Sequence, residues 1–436
     1  MCPDKKEWRP RHRFLASAAT LLLHVFLLSE VIADETAALT LDDAVAQALA
    51  GNPGIAEIKA RAEALAAVPA QEGTLPDPSL NFDMLNVPVN SFSLRREDMT
   101  MMEVGISQTI PFPGKLGLRE KAAQHEALAA ADSVDEARLR LARDVKQAWW
   151  RLFYYDRALN VTADAEKFFQ QLVDLAQARY RVGQGAQADV LMVKLELSRL
   201  KDEKLELIGM RHGESNQFNV LLNRTPETPV RIAPQATVSF PDVRGENLQT
   251  QAGERNPRFA QRHEMLDAAK TRVDLAEKDY YPDFTVGAGY AVRQDTPAGE
   301  SRSDFASIRL SVNLPVYAGR KQAKAVDQRR SELLKEQYAL QDEHNKVNGE
   351  IAAKTAEYRH SKEKLALFEH EIVPQAEQTV SSLMAGYPVG KVNFSDLLRA
   401  ELTLFQYQTQ YWQSLTRTQQ LLAELSSLAG GEVGHE

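Results

Sequence analysis

Four short segments of the chain alternate strictly between apolar and polar residues. This period of two is the pattern of a β-strand whose two sides meet different surroundings. The polar positions between the apolar ones repeatedly hold Asp, Glu, Arg, Asn or Ser. The segments therefore predict four amphipathic strands, with these apolar positions: Leu80, Phe82 and Met84; Met102, Val104 and Ile106; Phe284, Val286, Ala288, Tyr290 and Val292; Ala306, Ile308, Leu310, Val312 and Leu314.

The stretches between these segments predict unusually long helices. The segment Lys115–Arg181 contains no proline, and Gly117 is its only glycine. A helix over residues 320–385 would extend on the order of 100 Å at a rise of 1.5 Å per residue, with Pro374 bending or breaking it near its end. Apolar residues at three- and four-residue steps predict a coiled-coil seam that needs antiparallel partners. The other predicted helices are residues 41–72, 187–223, 247–279 and 392–429.

The chain is internally duplicated, because its two halves carry the same motifs in the same order. The counterparts lie 204 to 207 positions apart: Asn52-Pro53 and Asn256-Pro257, Leu75-Pro76-Asp77 and Tyr281-Pro282-Asp283, Ile110-Pro111 with Gly114-Lys115 and Leu314-Pro315 with Gly319-Arg320, and Tyr180 to Gly183 and Tyr387 to Gly390. We therefore predict a first repeat over residues 34–223, an irregular linker over 224–245, a second repeat over 246–430 and a tail over 431–436.

The N-terminus has the organisation of a secretory signal. A basic region precedes the apolar segment 14–28, and Val31-Ile32-Ala33 predicts cleavage before Asp34, so that residues 1–33 are removed. The only cysteine is Cys2, which precedes the apolar segment and cannot carry a lipid anchor. An uncleaved membrane anchor is the alternative, although the apolar segment is shorter than the ~20 residues of a spanning helix.

Composition excludes several classes of function. The chain has 52 Lys+Arg against 60 Asp+Glu, and this acidic balance argues against a nucleic-acid partner. No zinc, phosphate-loop or nucleophile motif is present, so we predict no catalytic residues, no cofactor and no metal site. The histidines never recur at helical spacing, and we interpret them as scattered, exposed residues. Met84, Met99, Met101 and Met102 resemble a soft-metal site but are interpreted as lipid-facing or loop residues.

Four strands are too few to close a sheet by themselves. Alternation of this kind is typical of an outer-membrane strand, the alternative being an amphipathic hairpin that lies on helices. In lipid an open sheet edge is forbidden because its N–H and C=O groups lack partners. The sequence therefore predicts a sheet shared between copies, eight strands from two chains or twelve from three.

At this point the chain resembles the TolC family of outer-membrane efflux channels over residues 39–430. The resemblance rests on Leu41-x-x-Ala44 with Asn52-Pro53, Leu75-Pro76-Asp77-Pro78, residues 108–115, the Tyr-x-Val-Gly turns and Ala400-Glu401-Leu402. It implies a mostly α protein with a small β part: a homotrimer whose long antiparallel coiled-coil helices form an α-barrel in the periplasm, while four strands per chain form a shared twelve-stranded β-barrel in outer-membrane lipid. A periplasmic adaptor and an inner-membrane pump, of the RND type, would be its partners.

The same resemblance assigns expected roles to particular residues. Segments 86–90, 99–100 and 106–119 are most similar to the heavy-metal branch of the family, which serves copper/silver and cobalt–zinc–cadmium pumps. Gly183 and Gly390 would form the hairpin-tip turns, and the strand-to-helix junctions would be Pro111, Pro113, Gly114, Pro315 and Gly319. The periplasmic gate candidates are Asp189, Tyr387, Asp396 and Arg399, although Asp189 and Asp396 could instead cap their helices. A periplasmic adaptor or a structural coiled-coil protein of an export system is the alternative function.

Overall fold

The structure is a computed structural model that describes residues 38–433. The predicted signal and its cleavage site before Asp34 lie outside the described residues, as does the end of the C-terminal tail.

Helices make up most of the described chain. In chain order they are α1 (Leu41–Gly51), α2 (Pro53–Ala66), α3 (Val68–Glu72), α4 (Lys115–Arg181), α5 (Gln187–Leu221), α6 (Gly245–Arg255), α7 (Pro257–Lys278), α8 (Gln322–Leu367), α9 (Val373–Gly386) and α10 (Phe394–Ala429). Residues 115–181 form one uninterrupted helix of 67 residues. At 1.5 Å per residue it is about 100 Å long.

The first helix of each repeat is divided where the sequence predicted continuity. The expected helix over residues 41–72 is three helices, and the one over 247–279 is two. The reason is local: the Asn52 side chain accepts hydrogen bonds from the N–H groups of Gly54 and Ile55, and a proline follows it at the first helical position. Asn256 caps α7 in the same way. Asparagine followed by proline thus ends one helix and starts the next.

The long helix of the second repeat begins at Gln322 rather than at residue 320. It is interrupted near Pro374, as predicted, by a π-helical turn over Phe368–Ile372 that separates α8 from α9. This turn ends two residues before Pro374, which has no N–H to donate and whose ring clashes with the carbonyl four residues earlier in a regular α-helix. The wider turn takes up that disturbance, so α9 continues to Gly386.

The four strands form one antiparallel sheet in the order β1–β2–β3–β4: β1 (Ser79–Leu85), β2 (Met101–Ile110), β3 (Phe284–Val292) and β4 (Phe305–Val312). The pairing of β2 with β3 joins the two repeats. The predicted apolar positions fall on one face and are open to the surroundings: Phe82 is 74% exposed, Ile308 89% and Leu310 67%. The opposite face carries the polar positions.

The helices pack lengthwise around α4. This helix lies against α5 and α10, and near the sheet also against α2 and α7. Its aromatic segment is buried, with Trp149, Trp150 and Phe153 in one apolar cluster.

The predicted fold class is confirmed: long antiparallel helices with a four-stranded antiparallel sheet. The segment between α5 and α6 has no helix or strand, apart from an isolated bridge between Leu39 and Ile232. Among residues 38–433, none of the helices is both long enough and apolar enough to traverse a bilayer.

Candidate functional site

The two helical hairpins end in turns that require glycine. Gly183 has a φ of 73° and Gly390 a φ of 76°, a left-handed conformation that costs glycine no steric strain. The N–H of Gly183 donates to the carbonyl of Tyr180, and the N–H of Gly390 donates to the carbonyl of Tyr387. Both glycines therefore lie where the sequence placed the hairpin tips.

Arg179 joins the two hairpin tips. It lies in the last turn of α4, and its guanidinium donates to the carbonyl of Tyr387 on the other hairpin and to that of Gln184, 3.2 Å away. The same group lies over the Tyr387 ring, 4.7 Å from its centroid. The sequence analysis missed this residue. Its signal was a basic residue directly before the Tyr-x-Val-Gly motif, where the second repeat has Gly386.

Tyr387 is buried at this contact, with 3% of its surface exposed. Its ring packs against Phe394, 5.4 Å between centroids. Burial raises the pKa of the Tyr387 hydroxyl; the charge of Arg179 opposes this and the charge of Asp189 adds to it. Tyr387 and Asp189 therefore interact electrostatically, although the Asp189 carboxylate makes no side-chain hydrogen bond within the described residues.

The other two gate candidates lie apart from this contact. Asp396 and Arg399 are on the first turns of α10 and are both exposed, and no ion pair joins them within the described chain. The Asp396 carboxylate accepts a hydrogen bond of 3.4 Å from the Asn393 side chain. Neither α5 nor α10 has a side-chain hydrogen bond at its N-terminal cap. The described structure thus shows no capping hydrogen bond from Asp189 or Asp396.

A cleft between α4, α9 and α10 contains a buried carboxyl, which the sequence analysis named only as part of a family motif and without a role. The cleft has a volume of about 440 Å³. Glu401 lines it with 6% of its surface exposed, and one of its carboxyl oxygens has no hydrogen-bond partner among the described residues. Burial raises the pKa of Glu401 to about 7.

At the first strand-to-helix junction a buried lysine holds the two repeats together. Gly114, with a φ of 93°, turns the chain from Pro113 into α4. The Lys115 ammonium then contacts Asp283 at 2.9 Å and Asp279 at 3.2 Å, and its side chain is only 4% exposed. The N–H of Phe112 also donates to Asp283, at 2.8 Å.

The second junction has the same motif but an open surface. Pro315 and Gly319 lie between β4 and α8 as expected. Val316 and Tyr317 are 73% and 75% exposed. Arg320, the counterpart of Lys115, is exposed and has no side-chain partner among the described residues. The basic residue is therefore buried in ion pairs at the first junction and exposed at the second, although the two sequences are similar.

The described residues contain no group of three or more His, Cys, Asp or Glu side chains arranged to hold a metal ion. Met84 and Met99 are exposed, whereas Met101 is buried. The expectation that all histidines are exposed is wrong. His125 contacts Glu264 at 2.7 Å, and His344 stacks on Phe259 at 4.1 Å, because both lie at the seams of α7 with its neighbours.

A duplicated chain of long hairpins, with a sheet that crosses the repeats and exposes an apolar face, is the architecture of an outer-membrane channel subunit. The family model described as outer membrane efflux protein matches residues 44–224 and 248–431, and so covers both repeats. The chain belongs to this family, whose members are channels. The resemblance to the TolC family is thereby confirmed.

Two solved structures show the same fold. VceC of Vibrio cholerae superposes with a TM-score of 0.77 at 19% identity, covering 90% of this chain and 96% of that one. CusC superposes with a TM-score of 0.74 at 15% identity, covering 90% and 92%.

The curated relatives match a smaller part of the chain. The cobalt-zinc-cadmium resistance protein CzcC of Cupriavidus metallidurans is 25% identical over 255 residues, which is 56% of this chain and 55% of CzcC. An uncharacterised protein of Haemophilus influenzae is 20% identical over 219 residues, 49% and 47% of the two chains. The chain thus spans about half the length of the curated relatives it matches.

Proposed function

We propose that the protein is a subunit of a homotrimeric channel in the outer membrane, the passive conduit of a tripartite efflux system. A periplasmic adaptor and an inner-membrane pump of the RND type connect it to the inner membrane, and the pump supplies the energy. The observation that carries this proposal is the sheet: its apolar positions form one exposed face in a chain that belongs to the efflux channel family.

The exposed apolar face is continuous across the sheet. Cross-strand rows such as Leu80–Ile106–Ala288–Ile308 run across all four strands. Each apolar Å² that leaves water is worth about 25 cal/mol, so contiguous surface of this kind marks a lipid or protein contact. A periplasmic adaptor or a structural coiled-coil protein offers no reason for such a face. The alternative functions are therefore less well supported.

We place the gate of this channel at the hairpin tips. Arg179 ties the turn at Tyr387 to the end of α4, and this contact keeps the two hairpins of one subunit together. Asp189, Asp396 and Arg399 are charged residues of the same ends of the hairpins. In a trimer, three copies of Asp396 around one axis would attract cations. In this channel the glycine turns would lie at one end of the α-barrel and the strand-to-helix junctions at the other.

We propose heavy-metal cations as the exported substrate. The proposal is supported by the similarity to CzcC, which is named for cobalt, zinc and cadmium resistance. Asp83 and Glu103 face each other on the polar side of the sheet, where carboxylates favour cations. The formal net charge of the whole chain is −8, and removal of the basic signal makes it more negative.

Membrane fractionation tests the channel, and a deletion strain tests the substrate. We expect the protein in the outer-membrane fraction, as a trimer on an unheated gel. We expect its deletion to lower resistance to cobalt, zinc and cadmium or to copper and silver, with a plasmid copy restoring it. A periplasmic monomer would overturn the proposal that the protein is a channel. A deletion strain that is sensitive to organic toxins but keeps its metal resistance would overturn only the proposed substrate.

A further inference from the structure

The sheet ends in two strands that have no neighbour in the described chain. The order β1–β2–β3–β4 leaves β1 and β4 at its edges. Unpaired edges are templates for a further strand, and in a membrane their backbone groups must find partners. This inference rests on the proposed function, which places the sheet in lipid, and it concerns how a second copy fits the edges.

The contact between the two repeats shows how such a fit is made. Within one chain, β2 of the first repeat pairs with β3 of the second, with Ile106 opposite Ala288 and Ser107 opposite Gly287. The counterpart of β2 is β4, and the counterpart of β3 is β1. The observed pairing of β2 with β3 is therefore a template for the pairing of β4 of one copy with β1 of the next.

The motif spacings convert this geometry into a register. Ile110 corresponds to Leu314, 204 positions later, and Asp77 corresponds to Asp283, 206 positions later. Applied to the observed β2–β3 register, these shifts place Leu310 of one copy opposite Phe82 of the next. The apolar faces of the two copies then continue as one surface, as a lipid-facing sheet requires. In the same register Ser311 lies opposite Asn81, and Arg309 opposite Asp83.

The charges at the edges agree with this register. Asp83 lies directly opposite Glu103 on β2, and like charges in this position repel. Glu103 is relieved by a hydrogen bond of 2.6 Å from Ser307, whereas Asp83 has no side-chain partner among the described residues. Arg309 is 61% exposed and reaches only Glu103, at 3.9 Å. In this register a second copy brings the exposed Arg309 to Asp83.

The junction beside the sheet shows the same complementarity. Lys115 of the first repeat is buried against Asp283 of the second repeat. Their counterparts Arg320 and Asp77 are both exposed, and neither has a side-chain partner in the described part of the chain. An arginine in place of the lysine keeps the charge and adds reach, which suits a loop that is one residue longer.

The helices leave room for the same neighbour. The helix α4 packs against both α2 and α7, whereas α8 packs against α7 and has no extensive contact with α2 among the described residues. On α8, Leu334 is 48% exposed and Tyr338 63%. The α2 helix precedes β1 in the chain. With β1 of a second copy paired to β4, the α2 helix of that copy would lie beside α8, as α7 lies beside α4.

The pairing of β4 with β1 between copies follows from the proposed function; we propose that its register is the one derived above and that ion pairs from Arg309 to Asp83 and from Arg320 to Asp77 fix it. The first pair lies on the polar face of the shared sheet and fixes the register. The second closes the junction between the sheet and the helices. Both contacts repeat, between copies, an arrangement that the chain makes once within itself.

Disulfide trapping tests the register, and the signal's Cys2 is the chain's single cysteine, so the mature protein provides a cysteine-free background. Directly opposite residues are about 4.5–5.5 Å apart and can form a disulfide, whereas diagonal ones at about 7–8 Å cannot. We expect Asn81→Cys with Ser311→Cys to give covalent trimers on a denaturing gel without reductant. The matched control, Ser79→Cys with Ser311→Cys, is displaced by two residues and should remain uncrosslinked.

The outcomes separate this inference from the proposed function. Trimers on an unheated gel that crosslink through the control pair, or through neither pair, would overturn the register and leave the channel intact. Monomers on that gel for the unsubstituted protein would overturn both.

Charge reversal tests the ion pairs. Arg309→Asp and Asp83→Arg should each lower the temperature at which the trimer dissociates, and the double variant should recover at least half of the loss. The same recovery is expected for Arg320→Asp with Asp77→Arg. A double variant whose loss equals the sum of the single losses would contradict the pairing. A mixed pair, Arg309→Asp with Asp77→Arg, is the control and should show no recovery.

Discussion

Replacing Glu401 by glutamine should stabilise the protein at neutral and higher pH. Glu401 has only 6% of its surface exposed and has no cationic partner among the described residues. Burial raises the pKa of its carboxyl from 4.5 to about 7. One pKa unit corresponds to about 1.4 kcal/mol. Holding this carboxylate ionised in the folded protein therefore costs about 3 kcal/mol at pH 8.

The sign follows from which state binds the proton. Below the unfolded pKa of 4.5, Glu401 is protonated in both states and costs nothing. Between that value and about 7 the unfolded chain has lost the proton and the folded chain keeps it, so the free energy of unfolding falls as pH rises. Above the folded pKa the loss is complete. Glutamine has the same shape and stays neutral throughout.

The free energy of unfolding is measured by urea denaturation of the detergent-solubilised protein, followed by circular dichroism, at about pH 5 and pH 8. We expect Glu401→Gln to exceed the unsubstituted protein by about 3 kcal/mol at pH 8 and by less than about 1 kcal/mol at pH 5. Glu377→Gln, an exposed carboxyl that lines the same cleft, is the control and should change little. A Glu401→Gln variant that is less stable at pH 8, or equally affected at both pH values, would refute the reasoning.

Further predictions concern the sheet, the hairpin tips and export. Leu310→Arg, on the exposed apolar face, should cost about 2–4 kcal/mol near the bilayer midplane and reduce trimer yield, whereas Ser311→Arg should keep the yield and change conductance; equal yields would reverse the assignment of faces. Asp396→Ala should lower cation selectivity and weaken block by multivalent cations in planar-bilayer recordings, while a purely structural role would change thermal stability alone. Arg179→Ala should raise the conductance of the resting channel by loosening the contact between the hairpins, with Arg179→Lys intermediate because lysine lacks the planar group that stacks on Tyr387; unchanged conductance in both would remove Arg179 from the gate. N-terminal sequencing of the exported protein should find Ala33 removed and Asp34 first, and a retained Met1 would contradict the signal.

The sequence by itself determined the elements that depend on local pattern. Alternation located all four strands and their apolar faces, because successive residues of a strand point to opposite sides. Gly183 and Gly390 marked the hairpin tips since their left-handed conformation is local. The duplication was visible because both repeats keep the same turns. The helix breaks at Asn52 and Asn256 were missed, where a capping asparagine and a proline divide one apolar pattern.

The tertiary structure decided the contacts between residues far apart in the chain. Lys115 meets Asp283 across 168 positions, and Arg179 meets Tyr387 across 208. The sequence around Lys115 or Arg179 does not identify the partner, because a lysine or arginine at a helix end is usually exposed and the partner's position depends on how the repeats pack. The burial of Glu401 had no signal either, since its environment comes from three helices. Local pattern fixes which face of an element is apolar, and packing alone fixes which charges meet.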